Sequence, residues 1–254
     1  MVGADHLSFP VAHRASGVLH RYRGTAGART GLRPQGRRGH ARVYGERVSG
    51  IERVITRGTF ELDGGSWEVD NNIWIVGEGD DVVVFDAAHS AQPIIDAVGG
   101  RNVVAVVCTH GHNDHITVAP ELSQTLDAPV LLHPADDVLW RMTHPDKDFR
   151  AVEDDMVLPV GGLELHALHT PGHSPGSVCW YAPELRAVFS GDTLFQGGPG
   201  ATGRSFSDFP TILRSISGRL GPLPEDTVVY TGHGDTTTIG DEIVHYDDWV
   251  ARGH

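Results

Sequence analysis

Residues 110–115 read His-Gly-His-Asn-Asp-His, and this stretch decides the fold and the chemistry expected of the chain. It follows Val-Val-Ala-Val-Val-Cys-Thr at residues 103–109, an apolar run typical of a fully buried strand. Residues 116–122, which come next, are predicted to begin a helix. Three imidazoles and one carboxylate therefore lie in a tight loop at the end of a core strand. These are metal-ligating side chains, and their density predicts a shared cation rather than a polar loop that merely faces solvent.

The spacing within this loop suits two metal positions. His110 and His112 are two residues apart, so both side chains point to one side of an extended segment. Asp114 and His115 follow where the chain turns, and they can face a second centre. A carboxylate such as Asp192 can bridge two cations about 3.5–4 Å apart, the separation typical of two-metal sites. A donor set rich in His and Asp and free of Cys indicates a catalytic site rather than a structural zinc site.

Further metal-ligating side chains recur where predicted strands end. Strands are predicted early in pairs, with a hairpin turn at residues 63–66 and a separate strand at residues 72–76, and they then alternate with helices. The last two helices are predicted at residues 210–220 and 242–251. Loops at the ends of core strands are where functional sites are commonly built. The candidate ligands at these strand ends are His110, His112, Asp114, His115, His173, Asp192 and His233.

Charge is unevenly distributed along the 254 residues. Residues 1–50 carry nine Arg and two acidic side chains, whereas residues 51–254 carry a formal charge of −20 within a total of −13. The acidic part argues against nucleic-acid binding, which needs a basic surface. Residues 1–49, rich in Gly, Arg and Pro, are predicted to be a basic, disordered N-terminal extension. An arm that binds RNA or an anionic surface is the less favoured interpretation of this segment.

The chain shows no sequence feature of a membrane or secreted protein. No apolar run approaches the roughly 18 residues of a membrane-spanning helix, and no signal-peptide core is evident at the N-terminus. The two cysteines, Cys108 and Cys179, lie in apolar runs and are expected to be buried rather than disulfide-bonded or catalytic. These features predict a cytoplasmic protein without a membrane partner, and they leave homo-oligomer formation open.

Five motifs, in this order, resemble those of the metallo-β-lactamase-fold hydrolases. They are Asp86, the loop at residues 110–115, Thr-Pro-Gly-His at residues 170–173, Gly-Asp-Thr at residues 191–193 and Gly-His at residues 232–233. The sequence around His173 is similar to that of the glyoxalase II-like branch. The resemblance covers residues 67–233 and implies an α/β fold, an αβ/βα sandwich of two mixed sheets packed face to face with outer helices. The hydrolase domain is expected to span residues 50–254.

The resemblance also implies a role for each candidate ligand. One metal is expected on His110, His112 and His173, and the second on Asp114, His115 and His233, with Asp192 bridging the two. Asp86 would steady the loop by hydrogen bonds without binding metal, and Asp114 would act in catalysis by orienting the attacking hydroxide. Two divalent metal ions are expected, Zn²⁺ before Fe or Mn.

These features together predict hydrolysis of a small-molecule thioester or ester. Water bound to metal is acidified from a pKa of about 15.7 to about 7, which supplies the attacking hydroxide. A thiolate leaving group, with a solution pKa of about 8.5, needs little protonation. Glyoxalase II itself holds glutathione with basic residues of a helical C-terminal domain, but only 21 residues follow His233 here, with Arg252 as their single basic residue. The expected substrate is therefore an acyl conjugate of another low-molecular-weight thiol, such as mycothiol.

Other functions of the same fold stay open. A persulfide dioxygenase would use one Fe(II), and a lactonase or β-lactamase would share the dinuclear site. The complete ligand set disfavours a metal-bound module without activity. For the substrate, Arg204 is predicted to contact an anionic group and Tyr181 to line the pocket, the alternatives being a surface position and core packing. The Gly-x-Gly-x-x-Gly pattern at residues 198–203 lacks a clear following helix, so no dinucleotide site is predicted.

Overall fold

Two β-sheets pack face to face, and helices cover both of their outer surfaces, in the computed structural model of residues 50–253. The predicted N-terminal extension, residues 1–49, lies outside the described residues. This four-layer arrangement confirms the αβ/βα sandwich that the family resemblance implies.

The first sheet contains six strands that lie side by side in chain order. They are β1 (Ile51–Leu62), β2 (Gly65–Val76), β3 (Asp81–Phe85), β4 (Asn102–Val107), β5 (Val130–Leu132) and β6 (Arg150–Ala151). The first three strands pair antiparallel, and β3 to β6 pair parallel. The helices of this half are α1 (Ala91–Val98), α2 (Asn113–Ile116), α3 (Ala119–Leu126) and α4 (Asp137–Thr143), with a 3₁₀ turn at Pro134–Asp136.

The second half of the chain forms another six-stranded sheet and a small hairpin. Its strands are β7 (Val157–Val160), β8 (Leu163–His169), β9 (Val178–Ala182), β10 (Ala187–Gly191), β11 (Leu194–Phe195), β12 (Gly198–Pro199), β13 (Val228–Thr231) and β14 (Thr237–Thr238). The sheet order is β14-β13-β10-β9-β8-β7, and β11 pairs with β12. The helices are α5 (Phe209–Ser215), which continues into a π-helical turn at Ile216–Leu220, α6 (Ile239–Ile243) and α7 (Tyr246–Arg252).

The apolar side chains divide into three layers because successive residues of a strand face opposite sides of the sheet. On β3, Val82 and Val84 pack under the helices of the first half, whereas Val83 and Phe85 pack between the two sheets. Phe85 stacks there on Phe189 of β10, with ring centroids 4.6 Å apart. A third layer lies between the second sheet and α5 to α7. Burial on both faces explains the continuous apolar runs of the central strands.

The hairpin of β1 and β2 is longer than its sequence predicts. Its turn contains only Asp63 and Gly64, both with positive φ (53° and 77°), which is the two-residue turn favoured in hairpins. β2 then runs without interruption to Val76, although a separate strand was predicted at residues 72–76. The burial pattern explains the error, since β2 alternates between partly buried and exposed residues in its outer half and becomes fully buried from Asn71 onward.

The final predicted helix, at residues 242–251, is wrong in its limits because two short helices occupy this region. Thr238 begins α6, and its side chain accepts a hydrogen bond from the backbone N–H of Asp241. A break at residues 244–245 then separates α6 from α7. Within residues 50–253, no helix has both the length and the apolar character needed to cross a membrane.

Candidate metal centre

Three imidazoles converge at one end of the sandwich to form a first triad. His110 follows β4, His112 precedes α2, and His173 lies in the loop between β8 and β9. His112 Nδ1 is 3.0 Å from His110 Nε2 and 3.0 Å from His173 Nε2. All three side chains are buried. Burial lowers the pKa of His110 well below its ordinary value, and burial with the neighbouring His173 lowers the pKa of His112 to about 3. His110 and His112 therefore offer neutral ring nitrogens at pH 7.

A second triad lies beside the first and consists of Asp114, His115 and His233. His115 Nε2 is 3.2 Å from His233 Nε2 and 3.6 Å from Asp114 Oδ2, and His233 Nε2 is 3.3 Å from the same oxygen. Asp114 and His115 lie in the first turn of α2, and His233 follows β13. The last ligand therefore comes from the second sheet, so the triad forms only where the two sheets meet.

Asp192, directly after β10, lies between the two triads. Its Oδ2 is 3.6 Å from His173 Nε2 and 3.5 Å from His233 Nε2, while its Oδ1 is 3.4 Å from His115 Nε2. One carboxylate thus faces ligand atoms of both triads, as expected for a bridging residue. The structure brings together all seven side chains that the sequence singled out.

The donor atoms fit divalent cations. Two ligand atoms that each lie about 2.1 Å from a tetrahedral zinc are about 3.4 Å apart, and the contacts of Asp192 and within the second triad span 3.2–3.6 Å. Asp114 Oδ1 is buried and has no hydrogen-bond partner among residues 50–253, an expensive arrangement for a carboxylate without a cation or a water molecule. Imidazole and carboxylate donors suit Zn, Fe and Mn.

The electrostatics differ between the triads. Burial opposes the charged form of His233, but the charge of Asp192 and a hydrogen bond to Asp114 raise its pKa to about 10. The pKa of His115 is likewise raised well above its ordinary value. Burial opposes the charged form of this imidazole, but the negative charge of Asp192 makes the largest contribution in its favour. Burial also opposes ionisation of Asp114, but His115 and His233 lower its pKa to about 2. The metal-free second triad therefore holds ion pairs.

Asp86 supports the second triad from below. Its Oδ1 accepts a hydrogen bond from the Thr109 backbone N–H at 2.7 Å, and its Oδ2 accepts one from Thr109 Oγ1 at 2.9 Å. The same Oδ2 is 3.0 Å from His115 Nδ1. These bonds orient the imidazole so that Nε2 faces the centre, which agrees with the supporting role that the resemblance implies.

Two asparagines in the middle of β2 escaped the sequence analysis. Asn71 is fully buried, and its Nδ2 is 3.2 Å from Asp114 Oδ2, while its Oδ1 is 2.7 Å from His89 Nε2. Asn72 Nδ2 donates to the Gly234 carbonyl at 2.9 Å, which ties β2 to the loop that carries His233. The available signal was a pair of amides directly before the apolar run at residues 73–76, because buried polar residues are the informative exceptions in a core.

Arg204 lies at the rim of the first triad. Its guanidinium carbon is 3.9 Å from the ring centroid of Trp67, and the neighbouring Phe60 ring is 5.2 Å from His112. The loop around Arg204 is tied down at Ala201, whose carbonyl accepts from His173 Nδ1 at 2.8 Å. Within residues 50–253, the Arg204 side chain has no hydrogen bond to an acceptor.

Tyr181 lies elsewhere. Along β9, Val178 and Trp180 face the layer between the sheets, whereas Cys179 and Tyr181 face the layer under α5 to α7. The period-two alternation of a strand thus directs Tyr181 into outer-layer packing rather than toward the ligands. The pocket-lining role predicted for Tyr181 gains no supporting contact, and core packing describes its position.

The order of strands, the two triads and the bridging carboxylate define a metallohydrolase fold, and sequence comparison assigns it to a family. The profile of the metallo-beta-lactamase superfamily matches residues 66–233. The chain belongs to this superfamily.

One curated protein and two solved structures illustrate what this chain is similar to. Hydroxyacylglutathione hydrolase GloC of Haemophilus influenzae is 30% identical over 177 residues, which cover 63% of this chain and 82% of that protein. Among solved structures, the di-iron-bound form of TTHA1623 is 33% identical, with a TM-score of 0.62, and the match covers 68% of this chain and 92% of the other. BLEG-1, a B3 metallo-beta-lactamase, is 30% identical, with a TM-score of 0.63 over 76% of this chain and 99% of the other.

Proposed function

We propose that the protein is a dinuclear metal-dependent hydrolase that cleaves a thioester, an acyl conjugate of a low-molecular-weight thiol. The observation that carries the proposal is the pair of triads joined by Asp192, a complete donor set for two divalent cations at one end of the sandwich. The likeness to GloC, whose name denotes a thioester hydrolase, favours this substrate class. The finer part of the proposal is that the thiol is mycothiol rather than glutathione.

Different groups of the protein have different roles in the proposed reaction. Bound cations acidify water and polarise an acyl carbonyl. Asp114 Oδ1, a buried acceptor without a hydrogen-bond partner within residues 50–253, is placed to accept a hydrogen bond from the attacking water and so to orient it. Asp86 holds His115, and Ala201 holds His173, so these two imidazoles keep their orientation while substrate enters. A thiolate leaves without a dedicated acid, since its pKa is about 8.5.

Arg204 is proposed as the contact for an anionic group of the substrate. The guanidinium stacks on Trp67 beside the first triad, so an acyl carbonyl at the centre leaves an attached carboxylate near this cation. A hydrogen bond to a charged group contributes about 1.5–3 kcal/mol, so Arg204→Ala is expected to raise KM about tenfold or more for a thioester with a carboxylate. The KM of Arg204→Ala for a matched thioester without the carboxylate is expected to equal that of the wild type. Arg57→Ala is the control, because it removes an exposed arginine that pairs with Asp70 on the β1–β2 hairpin, which also carries Trp67.

The decisive experiment measures metal content and turnover on the full-length protein. Elemental analysis is expected to give two metal equivalents, and thioester cleavage is expected to be lost on chelation and in His112→Ala. His166→Ala, which removes a histidine paired with Glu164 away from the centre, is expected to retain activity. Matched thioesters of mycothiol and glutathione test the finer claim. An intact rate in His112→Ala would refute metal-dependent catalysis.

The likeness to BLEG-1 makes β-lactam hydrolysis the second candidate. A chromogenic β-lactam is therefore included in the panel, and its efficient cleavage without thioester turnover would replace the first proposal. A single iron per chain with oxygen uptake in the presence of a persulfide would instead support a dioxygenase.

A further inference from the structure

Asp136 is a fully buried carboxylate at the end of the 3₁₀ turn that precedes α4. Its Oδ2 accepts a hydrogen bond from the Gly111 backbone N–H at 2.7 Å and another from Ser174 Oγ at 2.6 Å. Its Oδ1 accepts one from the Gly176 backbone N–H at 2.6 Å. No motif of the sequence analysis included this residue.

The three donors lie in the two loops that carry the first triad. Gly111 separates His110 from His112. Ser174 follows His173 directly, and Gly176 lies three residues after His173. Asp136 therefore bonds to backbone or side-chain groups next to every ligand of that triad, while it bonds to none of the ligands themselves. A single side chain thus fixes the distance between two loops that are about 60 residues apart in the chain.

Close packing makes this distance specific. A Cβ atom at Gly111 would lie 2.9 Å from the Leu139 Cβ, and one at Gly176 would lie 2.7 Å from the Asp136 Cγ. Both contacts are shorter than side chains allow, so each loop approaches the turn that contains Asp136 through a glycine. Withdrawal of either loop from this turn would leave the buried Asp136 carboxylate short of hydrogen-bond donors, which is unfavourable.

Asp136 has a counterpart in the other half of the centre. Asp86 bonds directly to His115 of the second triad, and it also bonds to Thr109, whose Oγ1 is 3.1 Å from His110 Nδ1 of the first triad. Among the residues that the structure describes, Asp136 bonds to the loops of the first triad and to no group beside Asp114, His115 or His233. The direct contact of Asp86 with a ligand is therefore in the second triad, whereas the bonds of Asp136 are confined to the loops of the first.

We propose that Asp136 is the positioning residue of the first triad and that it sets the affinity of that triad for its cation independently of the second. Outer hydrogen-bond partners of metal ligands typically change metal affinity 10–100-fold when they are mutated. The proposal rests on the metal centre of the proposed function and not on its substrate, because binding is read without any thioester.

The test compares stepwise Zn²⁺ affinities of the full-length metal-free protein by competition with a chromophoric chelator. In Asp136→Asn an amide NH₂ faces an N–H donor, and one of the two equivalents is expected to bind 10–100-fold more weakly while the other is unchanged. Ser174→Ala keeps both backbone N–H donors, so a smaller loss at the same equivalent is expected. Asp137→Asn, at the adjacent exposed carboxylate paired with Arg141, is the matched control and is expected to bind like wild type.

Unfolding of the metal-free variants separates positioning from a general loss of stability, and the absorption of bound Co²⁺ reports the geometry of the affected site. Wild-type affinities for both equivalents in Asp136→Asn would overturn the proposal. So would equal weakening of both equivalents. If Asp136→Asn does not fold, Ser174→Ala decides, and an unchanged pair of affinities in that variant refutes the inference.

Discussion

Titrating the metal-free protein with Zn²⁺ at pH 7 is expected to release protons at one metal position and not at the other. In the second triad, burial opposes the charge on His233, yet Asp192 and Asp114 raise its pKa to about 10, and the pKa of His115 is raised as well. Both imidazoles must lose a proton before they bind a cation. In the first triad, burial keeps His110 and His112 neutral. We therefore expect about two protons from the second triad and none from His110 or His112.

The size of the effect follows from the pKa of His233. The difference between about 10 and pH 7 is about three units, which at 1.36 kcal/mol per unit makes proton competition cost about 4 kcal/mol, or about a thousandfold in affinity. Raising the pH therefore strengthens binding at the second triad about tenfold per unit for each proton released, up to about pH 10. The metal-free protein shows the opposite trend, because a raised histidine pKa stabilises it fully below about pH 6.5, and this stabilisation is lost as the pH rises through about 10.

Calorimetry in two buffers of equal pH but different ionisation enthalpy counts the protons released at each step. His233→Ala removes an imidazole whose pKa is raised. This variant is expected to release fewer protons when a cation binds at the second triad. The ion-pair description of the second triad would be refuted if both metal positions released the same number of protons. It would also be refuted if the Zn²⁺ affinity of the second triad did not change between pH 6 and 8.

Three further predictions concern stability, each measured by urea unfolding of the metal-free protein. Thr109→Val removes a hydroxyl donor from the buried Asp86 and is expected to cost about 1.5–3 kcal/mol, whereas removing the exposed Arg57–Asp70 ion pair costs less than about 1 kcal/mol. Gly172→Ala would place a Cβ 2.3 Å from the Ile212 backbone N at a φ of 137° and is expected to cost at least about 1–3 kcal/mol. Leu165→Ala, fully buried between the sheets, is expected to cost about 2–5 kcal/mol, and a change of less than 1 kcal/mol would contradict the packing described.

The sequence predicted the fold, and it singled out seven candidate ligands, because ligand types, spacing and order were all visible in the chain. Each of the seven candidate ligands lies within four residues of the end of a strand, or in a short helix or directly before it, and the parallel and antiparallel pairings bring those ends together. Patterns within short segments of the sequence were therefore enough to predict the strands and to single out the candidate ligands. The same patterns predicted the hairpin turn near Asp63 but not the length of β2, because burial along that strand changes where the second sheet begins to cover it.

The supporting residues could not be predicted in this way. Asn71 bonds to Asp114 and Asp136 bonds to the loops of the first triad, through side-chain hydrogen bonds that span 25 to 43 positions of the sequence. The sequence neighbours of both residues carry no ligand pattern. Tyr181 shows the complementary difficulty, since the sequence left both pocket lining and core packing open for it, while strand parity decides which layer it faces. Predicting either kind of residue requires the packing of the two sheets, which no local pattern encodes.

The position of His233 has a consequence for how the protein matures. Asp114 and His115 come from the first half of the chain, whereas His233 follows β13 of the second, and Asn72 joins the two through the Gly232 carbonyl at 2.8 Å. The second triad thus depends on a contact between residues more than a hundred positions apart, the kind of contact that is slow to form during folding. A cation is therefore expected to bind at the second triad after the two sheets have packed together, and to stabilise the folded protein rather than to initiate its folding.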